Sequence, residues 1–113
     1  SDCKKLTDIS ALASLKNLKE LDLSSCGLIG WKKLTDISAL ASLENLEKLD
    51  LSWCKKLTDI SALASLENLE KLDLKWCEDL TDISALASLK NLEAPNLSDC
   101  PKIINRDILK SNQ

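Results

Sequence analysis

The stretch that decides the fold is Leu57-Thr58-Asp59-Ile60-Ser61-Ala62-Leu63-Ala64-Ser65-Leu66. The same ten residues recur unchanged at 6–15, 34–43 and 80–89, so successive copies start 28, 23 and 23 residues apart. Self-similarity at a period of 20–50 residues is the signature of a repeat architecture, in which each copy is one supersecondary unit. Within a copy, Leu57, Ile60, Leu63 and Leu66 fall three apart, as on one face of a short helix or a 3-10 coil. Thr58-Asp59 stands ahead of that run as an N-cap. Asn68, just past it, is placed to end the helix in a left-handed conformation in place of glycine.

Reading outward, each decapeptide is followed by a block of the form x-N-L-x-x-L-D-L-x-x-C. In the second copy this is Asn45-Leu46-Glu47-Lys48-Leu49-Asp50-Leu51-Ser52-Trp53-Cys54. The first copy runs from Asn17 to Cys26 and the third from Asn68 to Cys77; the fourth drifts, with Pro95 and Asn96 where Leu and Asp are expected. Leu49-Asp50-Leu51 alternates as a strand with one buried face does. One unit is therefore a short strand, a turn at Cys and a short helical segment. Seven or so aliphatic side chains cannot repay the ordering of 23 residues in isolation, so units must stack and bury one another's flanks. The expected fold is an α/β right-handed solenoid, with a parallel β-sheet on its concave face and short helical or 3-10 segments on its convex face. It forms a single domain over 1–113, with repeats starting at 6, 34, 57 and 80 and a closing segment at 101–113.

The spacing of Leu46, Leu49, Leu51 and Cys54 resembles the strand-and-turn segment of leucine-rich repeats. Cys54 through Asp59 is similar to the cysteine-containing subclass, and Asp-Ile-Ser-Ala-Leu to the convex segments of internalin-like repeats. The resemblance covers nearly the whole chain. It implies the fold above and a binding role, but no particular ligand, because this fold serves many unrelated partners.

The ends and one insertion depart from the repeat. Ser1–Lys5 is half a unit with no polar cap, so the face carrying Leu6, Ile9, Leu12 and Leu15 is expected to be open and to favour homo-oligomers through the N-terminal end. At the other end Pro95 cannot donate to a further strand, and residues 101–109 read as a degenerate unit or capping helix. The first unit carries five extra residues, 27–31, with the chain's two glycines bracketing Leu28 and Ile29. Either Leu28 replaces Leu34 in the core while Trp31 packs on the convex edge, or Leu28, Ile29 and Trp31 form an apolar protruding loop that touches a partner.

Composition narrows the function. With 15 basic and 18 acidic residues the net charge is −3, the wrong balance for a nucleic-acid binder. No uncharged stretch approaches the ~20 apolar residues of a membrane span. There is no histidine, hence no imidazole to activate a nucleophile or complete a mixed metal site. Cys3, Cys26, Cys54, Cys77 and Cys100 occur one per unit, an odd count without paired spacing, which argues against both a metal site and a disulfide framework. They read as a buried column of small apolar residues facing the turn backbone of the neighbouring unit. Free thiols, with no signal peptide in Ser1–Lys5, point to a reducing, cytoplasmic setting. No metal, cofactor or catalytic residue is expected, and the chain does not read as an enzyme.

Across the four copies the convex decapeptide never changes, although several of its polar residues should be exposed. The differences fall on the strand face and the turn after it: Glu20/Lys48/Lys71/Ala94, Ser24/Ser52/Lys75/Ser98 and Ser25/Trp53/Trp76/Asp99. Asp22, Asp50, Asp73 and Asn96 form a further column between them. The expected function is protein or peptide binding on the concave face, centred on Lys48, Asp50, Ser52, Trp53, Lys71, Asp73, Lys75 and Trp76. Trp53 and Trp76 read equally well as a packing seal or as contact residues. The competing reading is a structural array or consensus-type design without a specific ligand, self-associating through its uncapped end.

Overall fold

A computed structural model describes residues 14–24 and 37–112 of the chain, the side chains as far as Leu109. The strand positions form a parallel sheet of β1 (Glu20–Asp22), β2 (Lys48–Asp50) and β3 (Lys71–Asp73) in sequential order. The register aligns equivalent residues: Leu21 with Leu49, then Leu49 with Leu72, one unit per strand. A single bridge between Asp73 and Asn96 carries the pairing into the fourth unit. The return segments are 3-10 helices over Ser38–Ser42, Ser61–Ser65 and Ser84–Ser88. Their exact three-residue apolar spacing is what a helix of three residues per turn requires to keep one row facing inward. Leu57, Ile60, Leu63 and Leu66 are all at most 2% exposed. They meet Leu46, Leu49 and Leu51 of the strand side, at most 3% exposed, in one continuous core.

Two expectations about local structure need correction. Asn68 is not a left-handed helix end. Each 3-10 helix closes on a leucine of negative φ, such as Leu66 at φ −87°, whose N–H donates to Leu63. The Asn68 side chain instead donates from Nδ2 to the Glu44 carbonyl of the preceding unit at 3.0 Å, as Asn45 does to Lys16 and Asn91 to Glu67. An asparagine at this position is thus a rung between units, pairing a carbonyl that the turn leaves over. The cap is also displaced by one residue. Ile60 occupies the N-cap place with no side-chain cap, and Asp59 reaches past it to accept the Ser61 N–H at 2.9 Å.

At the C-terminal end the chain closes on itself. The N–H groups of Leu51 and Leu74 point to the following unit, reaching the carbonyls of Asp73 and Asn96. Pro95 stands at the Leu72 position, of that same parity, so the donor it lacks is one that would have faced a fifth strand. A last 3-10 helix, Arg106–Asn112, covers this end. Asn105 accepts the Ile83 N–H and donates to Asp82, while Arg106 donates to the carbonyls of Leu97 and Cys100. At the other end, Leu6, Ile9 and Leu12 lie outside the described residues. Leu15 is 46% exposed, whereas its equivalents Leu43, Leu66 and Leu89 are buried.

Candidate binding surface

The strand face carries two outward columns, because alternate residues of a strand point to opposite sides of the sheet. One column is Glu20, Lys48, Lys71 and Ala94; the other is Asp22, Asp50, Asp73 and Asn96. Between them runs a trough of ≈ 520 Å³, lined by these residues together with Leu21, Leu49, Leu72 and Glu93. In the first column Lys48 Nζ lies 3.7 Å from Glu20, both side chains largely exposed. Such a pair adds little to stability, because water screens it and two flexible side chains must be held to keep it.

The second column has an internal task. Asp50 Oδ1 accepts both the Ser52 N–H at 2.9 Å and the Ser52 hydroxyl at 2.6 Å. Asp22, Asp73 and Asn96 each accept the N–H two residues on, from Ser24, Lys75 and Ser98. These bonds turn the chain at the end of each strand, and Asn96 makes one without a charge. They also hold the Asp22 carboxyl below its usual range, the Ser24 hydroxyl contributing most and the Ser24 N–H next. Ser52, expected on the binding surface, is 2% exposed and tied to Asp50; it belongs to the turn and presents nothing to solvent. Lys75, at the equivalent position, is half-buried.

Past this turn, Trp53, Trp76 and Asp99 have φ of 69°, 63° and 60°. That is the left-handed region, where a Cβ crowds the following carbonyl and costs ~1–2 kcal/mol outside glycine. The two indoles stack with ring centroids 4.8 Å apart and planes 9° apart, a spacing set by the distance between adjacent strands. Both are half-buried. Nothing in the sequence of Trp53 or Trp76 announces a left-handed backbone, since the residue type argues against it.

Immediately inside the corner, Cys54, Cys77 and Cys100 are buried and free. Each thiol faces the carbonyl of the preceding unit: Cys54 to Leu23 at 3.9 Å, Cys77 to Leu51 at 3.3 Å and Cys100 to Leu74 at 3.0 Å. Burial pushes Cys54 and Cys77 up to about 12 and Cys100 in the same direction. Groups held so firmly protonated are poor nucleophiles and poor metal ligands. Leu28, Ile29 and Trp31, like Cys3 and Cys26, lie outside the described residues. Among the described residues no cluster of three or more Cys, Asp and Glu could hold a metal ion, and no helix is long and apolar enough to cross a membrane.

The Leucine Rich repeat model matches residues 14–30, 42–64 and 65–87, more than half of the chain. The chain belongs to the leucine-rich-repeat family. Its repeats align with solved internalins of Listeria monocytogenes str. 4b F2365. Against internalin InlF the TM-score is 0.68 at 33% identity, covering 78% of this chain and 24% of that one. Against internalin C2 (InlC2) it is 0.61 at 32% identity, covering 96% of this chain and 54% of that one. The leucine-rich-repeat chain therefore spans about a quarter and about half of the lengths of these two structures. No curated protein sequence matches it significantly. Leucine-rich repeats are characteristically binding scaffolds, and the parallel sheet and 3-10 return segments described above fit their solenoid architecture.

Proposed function

We propose that this leucine-rich-repeat solenoid is a non-enzymatic protein- or peptide-binding module that seats its partner in the concave trough. Lys48 and Lys71 supply one charged row and Asp50 and Asp73 the other, with Lys75, Trp53 and Trp76 at the turns that follow the strands. The observation that carries this reading is the trough itself: ≈ 520 Å³ across three strands, with Lys48 and Lys71 in one column and the carboxylates of Asp22, Asp50 and Asp73 in the next. An extended peptide lying across the strands would meet both signs of charge, which fixes orientation and register. Asp50 and Asp73 are doubly employed, holding the turn with one oxygen while contributing charge to the trough.

The test is selection of ligands from a random peptide library on the full chain, followed by binding to the Lys48→Glu/Lys71→Glu double variant. Selected peptides should lose ~10-fold or more in affinity, the scale of ~1.4 kcal/mol, while the circular dichroism spectrum is unchanged. Selected ligands indifferent to both charge reversals would exclude the trough. A second reading rests on Leu15, exposed where its equivalents are buried: self-association through that end. Sedimentation equilibrium showing association abolished by Leu15→Lys would favour it over the trough.

A further inference from the structure

The tryptophan column stops one residue short of the end of the solenoid. Trp53 and Trp76 stack at the repeat distance of the sheet, and the next position is Asp99, whose φ of 60° matches the 63° of Trp76. The same backbone geometry therefore projects a short carboxylate where a third indole would have continued the stack. The space left by that ring is a cavity of ≈ 440 Å³ whose lining includes Trp76, Glu78, Asp79, Asp99, Lys102 and Arg106.

The charges around it are unequally engaged. Lys102 Nζ is bound to Asp79 at 2.9 Å, and Arg106 points one end of its guanidinium at the carbonyls of Leu97 and Cys100. Glu78 and Asp99 form no ion pair among the described residues. What remains for a visitor is an aromatic face beside two carboxylates.

We propose that this slot takes the guanidinium of an arginine side chain carried by the partner, stacked on Trp76 and forked onto Asp99. A planar cation fits the space of a missing ring. It gains from the negative face of the indole and presents paired N–H donors matched to a carboxylate, which a lysine ammonium cannot do while lying flat. An aromatic ring would stack as well but would strip water from Glu78 and Asp99 without repayment. An anion is disfavoured because the three carboxylates of the lining outnumber its two cations, Lys102, already paired with Asp79, and Arg106, already donating to backbone carbonyls. The inference rests on the binding reading above, naming a side chain that the partner must carry. The slot nevertheless shares no lining residue with the trough.

The experiment is titration of the isotopically labelled full chain with N-acetyl-arginine amide, following the Trp76 indole N–H by NMR. The control probe is the isosteric neutral citrulline amide. A saturable shift is expected with a dissociation constant of ~1–10 mM, the range for one small side chain. The citrulline probe and the Asp99→Asn variant should each bind ~5-fold or more weakly, since both remove charge without changing shape. Asn tolerates the left-handed backbone, so this variant leaves the corner intact. No saturable shift by ~50 mM, where a site of ~10 mM must be mostly filled, would overturn the proposal. So would equal binding of the two probes, or indifference to Asp99→Asn. The Lys48→Glu/Lys71→Glu variant should leave the titration unchanged, so loss of the trough and loss of the slot are read separately.

Discussion

The two walls of the solenoid use polar residues differently. On the helical wall the repeated Ser and Asp residues are exposed or half-buried, yet employed. Asp59 and Asp82 hold the first N–H of their 3-10 helices. Ser42, Ser65 and Ser88 donate to the carbonyls of Ala39, Ala62 and Ala85, and Ser65 also donates to Ala41 of the neighbouring unit. Among the described residues the Ser-to-Ala bond within each 3-10 helix recurs in three units, and the decapeptide that makes it never changes. On the strand wall the employed residues again recur, as the Asp column and the cysteines, while the residues that differ, Lys48 against Glu20 or Trp76 against Asp99, have no bond that the repeat requires. The contrast therefore does not lie between a silent wall and a functional one. In the Asp column, the cysteines and the repeated Ser and Asp, constancy goes with internal bonding, while the positions that differ, Ser52 apart, are ones the fold leaves open to a partner.

The sharpest way to break this comparison is alkali. If Cys54 and Cys77 are as buried as their packing implies, these two thiols keep their protons in the folded state to about 12, against an ordinary value of 9.0. Between those limits the unfolded chain gives up protons that the folded chain keeps. Stability from this source is therefore complete below pH 9 and is lost as pH rises toward 12, by ~1.4 kcal/mol per pH unit for each thiol. Urea unfolding from pH 9 to 11 should show that decline, and Cys77→Ala should remove about one thiol's share of the slope. An identical slope in the variant would mean that the corner admits water and that the cysteines recur for some other reason.

A second test sets one wall against the other. Leu66→Ala, on the helical wall and fully buried, should cost ~2–5 kcal/mol through lost burial and the cavity left behind. Lys71→Ala, on the strand wall and exposed, should fall within ~0.5 kcal/mol of zero. Comparable losses in the two unfolding curves would mean that the strand face also supports the fold and is less free to serve a ligand.

Much of this is legible in the sequence. The period, the two kinds of wall, the buried leucines and the thiol column follow from spacing alone, because a stacked unit leaves each apolar row only one place to go. The alignment of Asp22, Asp50, Asp73 and Asn96 was also foreseeable, since identical repeats in register place like residues side by side. The turn was not. Alternation says that Ser52 leaves the strand, but not that Asp50 folds the chain back over it. Asn68 reads as a helix end because asparagine tolerates positive φ, yet its amide serves the neighbouring unit, a contact that exists only after stacking. Asp99 does not stand out in the sequence as a site residue because it reads as the worn end of a column; its meaning depends on the ring that stops beside it.

The smallest expected effect is the most informative about the tryptophans. Replacing Trp53 by Asn removes the indole stack, worth ~0.5–1.5 kcal/mol beyond burial. It also relieves a bulky residue of a left-handed backbone costing ~1–2 kcal/mol, a conformation Asn accepts more readily. The two terms oppose, so the midpoint of urea unfolding should barely move, with a net change within ~1 kcal/mol of zero. A packing seal ought to behave otherwise. If Trp53→Asn destabilises the chain by ~3 kcal/mol or more, as truncation of a true core aromatic does, the indoles are structural and the binding surface does not extend to them. If stability holds, the chain carries two strained, half-exposed indoles that its own fold can do without. Residues kept against local strain and without a stability return are those a binding surface retains.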